Sequence, residues 1–183
     1  MKDLIVKNLV GSRILILFFL TGLIYTLMLT VTIPMVMSFS GGLKILDMMP
    51  MGYDFAYVKS LFDALGEEGR NAYLYRQIPL DLLFPSLMGI TFTLILAYLL
   101  RYINKLESKW FYLALLPLFA GLFDYCENLG VITMILSYPD ISDGMVLTSC
   151  IFSILKSSIS TLFYSALIIL LVVAGIKKLK LVK

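Results

Sequence analysis

The chain has 183 residues, of which 60% are hydrophobic and 15% charged, and its formal net charge at pH 7 is +3. Its mean hydropathy is +0.94, and its apolar share exceeds that of ordinary soluble domains. The composition predicts an integral membrane protein. We expect residues 1–183 to form one membrane domain, because the apolar segments take up much of the chain and leave too little for a second core.

Missing residue types and motifs exclude several classes of chemistry. The sequence has no histidine, which removes imidazole metal ligands and Ser/His catalytic triads. Cys126 and Cys150 do not form a C-x-x-C motif, and no glycine-rich phosphate-binding motif occurs. We therefore predict no metal site and no cofactor. The positive net charge follows from membrane topology and requires no nucleic-acid partner.

Four apolar runs each reach the roughly 20 residues that a helix needs to cross a hydrocarbon core of about 30 Å. They predict transmembrane helices at residues 14–37, 78–100, 110–136 and 146–176. A single strand would leave backbone groups without hydrogen bonds in lipid, so helix is the expected state of every span. The predicted fold is all-α, a polytopic bundle of four transmembrane helices.

Basic residues are concentrated on one side of this predicted bundle. Ten of the 15 Lys and Arg residues fall in the N-terminal flank, in the connection between the second and third spans, and in the C-terminal tail. The positive-inside rule makes that side cytoplasmic, which places both termini in the cytoplasm. The long connection 38–77 then lies on the opposite, outer side.

A short amphipathic helix is predicted inside this outer connection. Asp54 caps its start and Gly66 ends it, and apolar residues recur between them at helical spacing. Two interpretations remain open: an interfacial lid over a cavity in the bundle, or a helix that simply packs across the helix ends. Arg70 follows this helix, either in a solvated turn or on the charged rim of an outer mouth. In the second case it is a ligand-binding candidate.

The second span begins with an acidic residue between two prolines. Pro79 suits an early helical position, and Asp81 then lies in the first turns, where the helix dipole favours a carboxylate. Pro85 removes a backbone hydrogen bond and is expected to kink the helix, which commonly makes room for a cavity. Asp81 is therefore a candidate ligand-binding residue as well as a candidate for a purely structural role.

The third span carries the strongest signal for a functional site. Asp124, Glu127 and Asn128 share one helical face, and Asp124 lies about 18 Å below the outer end of the helix at 1.5 Å per residue. Charged residues at such a depth are rare and usually functional. Asp124 and Glu127 are candidate catalytic residues, and Asn128 is a candidate ligand-binding residue.

The fourth span supplies a countercharge at a matching depth. Lys156 lies about 16 Å below the same surface, so acid and base are expected to meet between the third and fourth spans, which makes Lys156 a ligand-binding candidate. Two acids and one base leave an excess of negative charge that a proton or a ligand cation can fill. In the first span, Tyr25 shares a polar face with Thr21 and Thr32 and is a further ligand-binding candidate.

Two short motifs, D-L-L-F-P at residues 81–85 and D-Y-C-E-N at residues 124–128, occur between Gly66 and Gly130. In this pairing the chain resembles a group of small four-helix membrane proteins to which no activity is attached. The resemblance implies only that these positions form one recurrent site.

Three functions fit these residues. The first is a membrane protein that binds, and in one version transports, a small cationic or amphipathic ligand or protons. The second is a membrane-embedded enzyme that acts on a lipid and uses Asp124 and Glu127 as acid and base. The third is a structural ion cluster in a protein whose outer loop binds a partner. The chain lacks the internal repeats typical of transporters, which favours binding over transport. Membrane lipid is an expected partner throughout.

Overall fold

The computed structural model describes residues 2–181 of the chain. It is all-α, with 84% of its residues helical and no strand among those described. Seven α-helices follow one another in the chain: α1 (Lys2–Lys7), α2 (Gly11–Leu27), α3 (Ile33–Met37), α4 (Phe55–Ala72), α5 (Ile78–Tyr102), α6 (Leu116–Ser137) and α7 (Asp143–Leu181).

Short turns of other helix types join several of these α-helices. A π-helical turn at Met28–Thr32 connects α2 to α3, and a second one at Tyr73–Gln77 connects α4 to α5. A 3₁₀ helix at Lys109–Leu115 leads into α6. Because π-helical turns are rare and often found at functional sites, their positions are informative.

Among the described residues, four helical stretches are long and apolar enough to cross a membrane. They are Gly11–Met37, Phe55–Tyr102, Lys109–Ser137 and Asp143–Lys180. Each contains one of the four predicted spans. The stretches are longer than the apolar runs because a helix, once nucleated, propagates readily through flanking polar residues.

The long helices pack in the order α2, α5, α6, α7. Neighbours in this order are in contact along the bundle, and α5 also touches α7. Within residues 2–181, α2 and α7 scarcely touch each other. The bundle is therefore open along one side, between its first and last long helices.

Both ends of the described chain lie at the same end of the bundle, which we call the terminal end. The Lys2 ammonium pairs with Glu107 at 2.5 Å, and Arg101 donates to the Leu9 carbonyl at 3.2 Å. Lys177 of α7 donates to the carbonyl of Tyr102, at the end of α5. The opposite end, which carries residues 38–54 and α4, is the loop end.

Residues 38–54 fold back onto the loop end of the bundle. Ile45 and Leu46 are completely buried, and Leu46–Met48 forms a single 3₁₀ turn. The Ser40 hydroxyl closes the preceding turn by donating to the Leu43 carbonyl. This apolar anchoring brings Asp47 against the interior of the bundle.

The helix α4 begins with a side-chain cap. The carboxylate of Asp54 accepts a hydrogen bond from the Tyr57 backbone N–H at 2.8 Å. Gly66 then adopts φ 61° and ψ −172°, outside helical geometry, but the chain resumes as helix and continues into α5. The end predicted at Gly66 is therefore a kink, because glycine adopts a positive φ without strain. The side chains of α4 that pack into the bundle are Val58, Leu61, Phe62 and Leu65.

The apolar core consists of two clusters. The terminal core joins α1 to α5, α6 and α7, and its fully buried members are Leu96, Ala97, Leu100, Ala114, Ala120 and Phe163. The loop core joins α3, α4 and residues 38–54 to α6, and its fully buried members are Val36, Ile45, Leu46, Val58, Leu61, Phe62, Tyr73, Val131 and Met134. Along α6, residues 124–128 lie between Ala120 of the terminal core and Val131 of the loop core. The polar side chains of α6 thus lie where the two cores meet.

Candidate functional site

An ion cluster joins α6 to α7. The Lys156 ammonium lies 3.2 Å from Asp124 Oδ1 and is in direct contact with Glu127 Oε2. The exposed fractions of the three side chains are 17% for Lys156, 6% for Asp124 and 1% for Glu127. A buried ion network is tolerated only when its positive and negative charges compensate one another almost completely.

Close approach of the two helices makes this cluster possible. A Cβ atom added at Gly130 of α6 would lie 2.6 Å from Ser149 Cβ of α7, so only glycine fits there. Ser149 in turn donates to the Glu127 carbonyl at 3.4 Å, and its hydroxyl lies 2.7 Å from that of Tyr53. The small residues thus set the helix separation at which Lys156 reaches both acids.

Pro85 creates a second polar contact, between α5 and α6. Proline has no backbone N–H, so Pro85 leaves the carbonyl of Asp81, four residues earlier, without its helical donor. Asn128 Nδ2 supplies the missing hydrogen bond to this carbonyl at 3.0 Å. Asn128 therefore replaces a backbone donor. At the same crossing, a Cβ atom added at Gly121 would lie 2.8 Å from the Pro85 carbonyl oxygen, which shows how closely the helices approach.

Two buried oxygens at this crossing have no hydrogen-bond partner in the described part of the chain. They are Oδ2 of Asp81 and Oδ1 of Asn128, and the two residues are only 4% and 1% exposed. Both atoms are acceptors when the carboxylate is ionised. Buried acceptors are almost always satisfied, so this pair indicates a missing donor.

Asp47 is a further acid at the site, and sequence analysis did not identify it. Its Oδ1 accepts from the Tyr73 hydroxyl at 2.8 Å, and its Oδ2 accepts from Gln77 Nε2 at 3.1 Å. Gln77 Oε1 accepts from the hydroxyl of Thr32. Removal from water raises the pKa of Asp47 above its ordinary value, although the Lys156 charge and the two hydrogen bonds act in the opposite direction.

The hydrogen-bond chain from Thr32 through Gln77 to Asp47 connects the two π-helical turns. Thr32 ends the turn between α2 and α3, and Tyr73 and Gln77 begin and end the turn between α4 and α5. A π-helical turn widens the helix and displaces its side chains relative to a regular helix. Both turns thus contribute to the positioning of one loop carboxylate.

A cavity of about 680 Å³ lies beside these groups, on the open side of the bundle between α2 and α7. Its polar end is formed by Asp47, Asp81, Asp124 and Lys156. From Asp81 it extends along α5 to Phe92, which is about 16 Å at 1.5 Å per residue. The apolar and aromatic side chains of its wall include Phe18, Tyr25, Met28, Phe84, Met88 and Tyr164. The cavity therefore combines an acidic end with an apolar channel.

The predicted site residues lie in three places: on the cavity wall, behind that wall, and, for Arg70, near the end of α4. Asp81, Asp124, Lys156 and Tyr25 line the cavity, with the Tyr25 ring stacked on that of Phe84 at 5.4 Å between centroids. Glu127 and Asn128 lie behind the wall, in contact with Lys156 and the Asp81 carbonyl.

Arg70 does not join the cluster. Its guanidinium lies over the ring of Tyr138 at 4.1 Å and donates to the Phe62 carbonyl at 2.7 Å. These contacts tie α4 to the end of α6, and Arg70 is not among the residues that line the cavity in the described part of the chain.

The acids at the site outnumber the bases. Asp47, Asp81, Asp124 and Glu127 act on the single ammonium of Lys156. Within residues 2–181, no three Cys, Asp or Glu side chains converge in a geometry that could hold a metal ion. No family model, curated protein or solved structure matches this chain. The chemistry of the site therefore has to be inferred from its own geometry.

Proposed function

We propose that this protein is a multi-pass membrane protein that binds an amphipathic ligand with a positively charged head in the cavity between α2 and α7. Both termini lie in the cytoplasm, and α4 lies in the outer interface. One observation carries the proposal: a single cavity has three carboxylates and Lys156 at one end and a largely apolar and aromatic wall along the rest.

Membrane insertion is supported by the surface as well as by helix length. Large apolar side chains on the outward faces of α2 and α7 are highly exposed, among them Phe19, Leu23, Ile168 and Ile169. Soluble monomers rarely carry such extensive exposed apolar surface. The basic residues at the terminal end support the orientation, because positively charged segments are retained in the cytoplasm.

The charge of the ligand follows from the state of Lys156. Its ammonium already contacts Asp124 and Glu127, so it has little capacity left for an anionic headgroup. Asp47 and Asp81 have no salt-bridge partner among the described residues. A cation in the cavity would compensate these carboxylates, whereas an anion would add to the repulsion.

The proposal is tested by comparing a cationic and an anionic amphiphile of equal chain length. Purified protein in phosphatidylcholine nanodiscs is mixed with dodecylamine or with laurate at matched mole fractions, and bound amphiphile is counted by native mass spectrometry. We expect dodecylamine to be retained in preference to laurate by the wild type and by the control Asp140→Asn, an exposed site. Asp81→Asn/Asp124→Asn should lose this preference. Equal retention of both amphiphiles by the wild type would refute the proposal.

A lipid-modifying enzyme is the second candidate, because Asp124 faces the cavity and a carboxylate there can transfer protons. Its predicted partner Glu127 lies behind the wall against Lys156, which favours binding over this alternative. Catalysis predicts that the wild type changes the lipid composition of vesicles over time and that Asp124→Asn abolishes this turnover. Lipid mass spectrometry of vesicles with and without protein distinguishes the two functions.

A further inference from the structure

The polar end of the cavity offers hydrogen-bond acceptors without matching donors. Asp81 Oδ2, on the cavity wall, is buried and has no partner among the described residues, and neither has Asn128 Oδ1 behind the wall. The Asn128 amide nitrogen donates to the Asp81 carbonyl and makes no hydrogen bond to the carboxylate oxygen Oδ2. An N–H or O–H donor bound in the cavity would satisfy this oxygen.

The two carboxylates nearest the loop end lack a cation of their own. Asp47 and Asp81 both line the polar end of the cavity. Asp47 is held by the neutral donors Tyr73 and Gln77, and the Lys156 ammonium is in contact with Asp124 and Glu127 instead. Neither Asp47 nor Asp81 therefore has a salt-bridge partner among the described residues.

The chemistry of the missing group follows from these two requirements together. A positive charge would compensate the carboxylates, and at least one N–H donor would satisfy Asp81 Oδ2. A primary ammonium has three donors on a compact cation, as the lysine side chain does. A quaternary ammonium has the charge but no donor, and a phosphate would be repelled by the acids.

The rest of the cavity determines what the ammonium is attached to. Phe18, Met28, Phe84, Met88 and Phe92 line the channel away from the acids, and burial of an apolar chain against them is favourable in proportion to the area removed from water. At about 680 Å³ the cavity is of the size that encloses small-molecule ligands.

We propose that the ligand of this cavity is a long-chain primary amine without an acidic group, whose ammonium lies between Asp47 and Asp81. This inference rests on the proposed function, the binding of a cationic amphiphile, and adds the identity of the headgroup. The ammonium donates to Asp81 and Asp47, while its apolar chain extends along α5 toward Phe92.

The test is a competition between two cations that have the same chain and charge but differ in the donors and size of the head. Dodecylamine and dodecyltrimethylammonium are added together, at equal mole fraction, to the protein in phosphatidylcholine nanodiscs, and native mass spectrometry gives their bound ratio. We expect the wild type to prefer the primary amine by about 10-fold or more, because charged hydrogen bonds are lost with the trimethyl head. Addition of phosphatidylethanolamine, a primary amine that carries a phosphate, should leave the amount of bound dodecylamine unchanged.

Variants identify the atoms responsible for the preference. Asp81→Asn should bring the ratio to near one, and Asp47→Asn, which keeps a hydrogen-bonding side chain in place of the loop acid, should reduce it in the same direction. Asp140→Asn should retain the wild-type ratio. Thermal unfolding of each variant verifies its fold, and either Asp47→Asn or Asp81→Asn suffices for the test.

The possible failures separate the two proposals. Equal binding of the two cations by the wild type would overturn the primary-amine assignment while leaving a cationic amphiphile site in place. A wild-type preference that persists in both Asp47→Asn and Asp81→Asn would overturn the placement of the head. Displacement of dodecylamine by phosphatidylethanolamine would show that an acidic group is tolerated, against the assignment. If neither cation binds, the proposed function itself is wrong.

Discussion

The terminal core and the loop core share the helices α5, α6 and α7 but have different neighbours. Fully buried members of the terminal core, such as Leu96, Leu100 and Phe163, are apolar, and the basic residues at that end stay on the surface. The loop core adjoins Asp47, Asp81, Asp124 and Glu127. The helices therefore pack at the terminal end without a buried charge. The buried charges beside the loop core have an energetic cost that helix packing does not require, as is typical of functional groups.

Of the variants that test this difference between the two cores, the one that removes the Lys156 charge should change the stability most. Lys156→Met leaves Asp124 and Glu127 without compensation, and we expect it to lower the free energy of unfolding by about 3–5 kcal/mol, as when one partner of a buried pair is lost. The triple variant Lys156→Met/Asp124→Asn/Glu127→Gln should recover most of that loss. Thermal or denaturant unfolding in a mild detergent measures both changes.

The control for this prediction is a lysine at the terminal end. Lys177→Met removes one hydrogen bond to the Tyr102 carbonyl at the surface and should change stability by less than about 1 kcal/mol. If Lys156→Met and Lys177→Met had the same small effect on the free energy of unfolding, the ion cluster would contribute no more to stability than a hydrogen bond at the surface.

A smaller loss is expected where the helices approach most closely. Gly121→Ala would place a methyl group 2.8 Å from the Pro85 carbonyl oxygen, which is backbone and cannot move aside alone. We expect it to destabilise the protein by about 1–3 kcal/mol, as overpacked cores do. Gly175→Ala is the matched control at the terminal end, because no atom lies within 4 Å of its Cβ position.

Gly175→Ala should leave stability unchanged or raise it by about 0.5–1 kcal/mol, since alanine is the better helix former. Unfolding midpoints of the two variants, measured in the same detergent, give the comparison. Equal effects of Gly121→Ala and Gly175→Ala would contradict the close approach of α5 and α6.

The smallest expected effect is the pH dependence that Asp47 contributes. Its pKa is raised in the folded state by removal from water, so between the ordinary and the raised value the folded protein binds more protons than the unfolded chain. Stability from this group therefore falls as pH rises through that interval, by at most about 1.4 kcal/mol per pH unit. The Asp47→Asn variant lacks this pH-dependent contribution to stability.

We expect the difference in unfolding temperature, Asp47→Asn minus wild type, to increase as the pH is raised from about 4 to neutrality. This range starts at the ordinary pKa of aspartate. The measurement is a series of thermal melts of both proteins across this range. A constant difference would mean that Asp47 titrates in the folded protein as it does in the unfolded chain.

The helices were predictable from sequence because their signal is local. Each apolar run is long enough to specify a helix without reference to its neighbours. The meeting of Lys156 with the α6 acids was expected on similar grounds, since helix rise converts sequence position into depth. The structure brings Lys156 within 3.2 Å of Asp124.

The role of Asp47 could not be predicted in this way. It lies in a segment without regular periodicity, and its partners Tyr73 and Gln77 are 26 and 30 residues away in sequence. One local signal was present: the residues on either side of Asp47, which are Ile45, Leu46, Met48 and Met49, are apolar, which is unusual for a solvated loop. Arg70 shows the converse, because sequence placed it either in a solvated turn or on a charged rim, whereas its contacts are with Tyr138 and Phe62.

The open side of the bundle between α2 and α7 has a consequence for how affinity is measured. The hydrophobic amine proposed as the ligand would enter sideways from the bilayer, so the concentration that drives its binding would be its mole ratio to lipid. The same total amount of amine would occupy less of the protein in a preparation with more lipid. Dissociation constants in units of water concentration would then vary between preparations, whereas mole fractions in the membrane would agree.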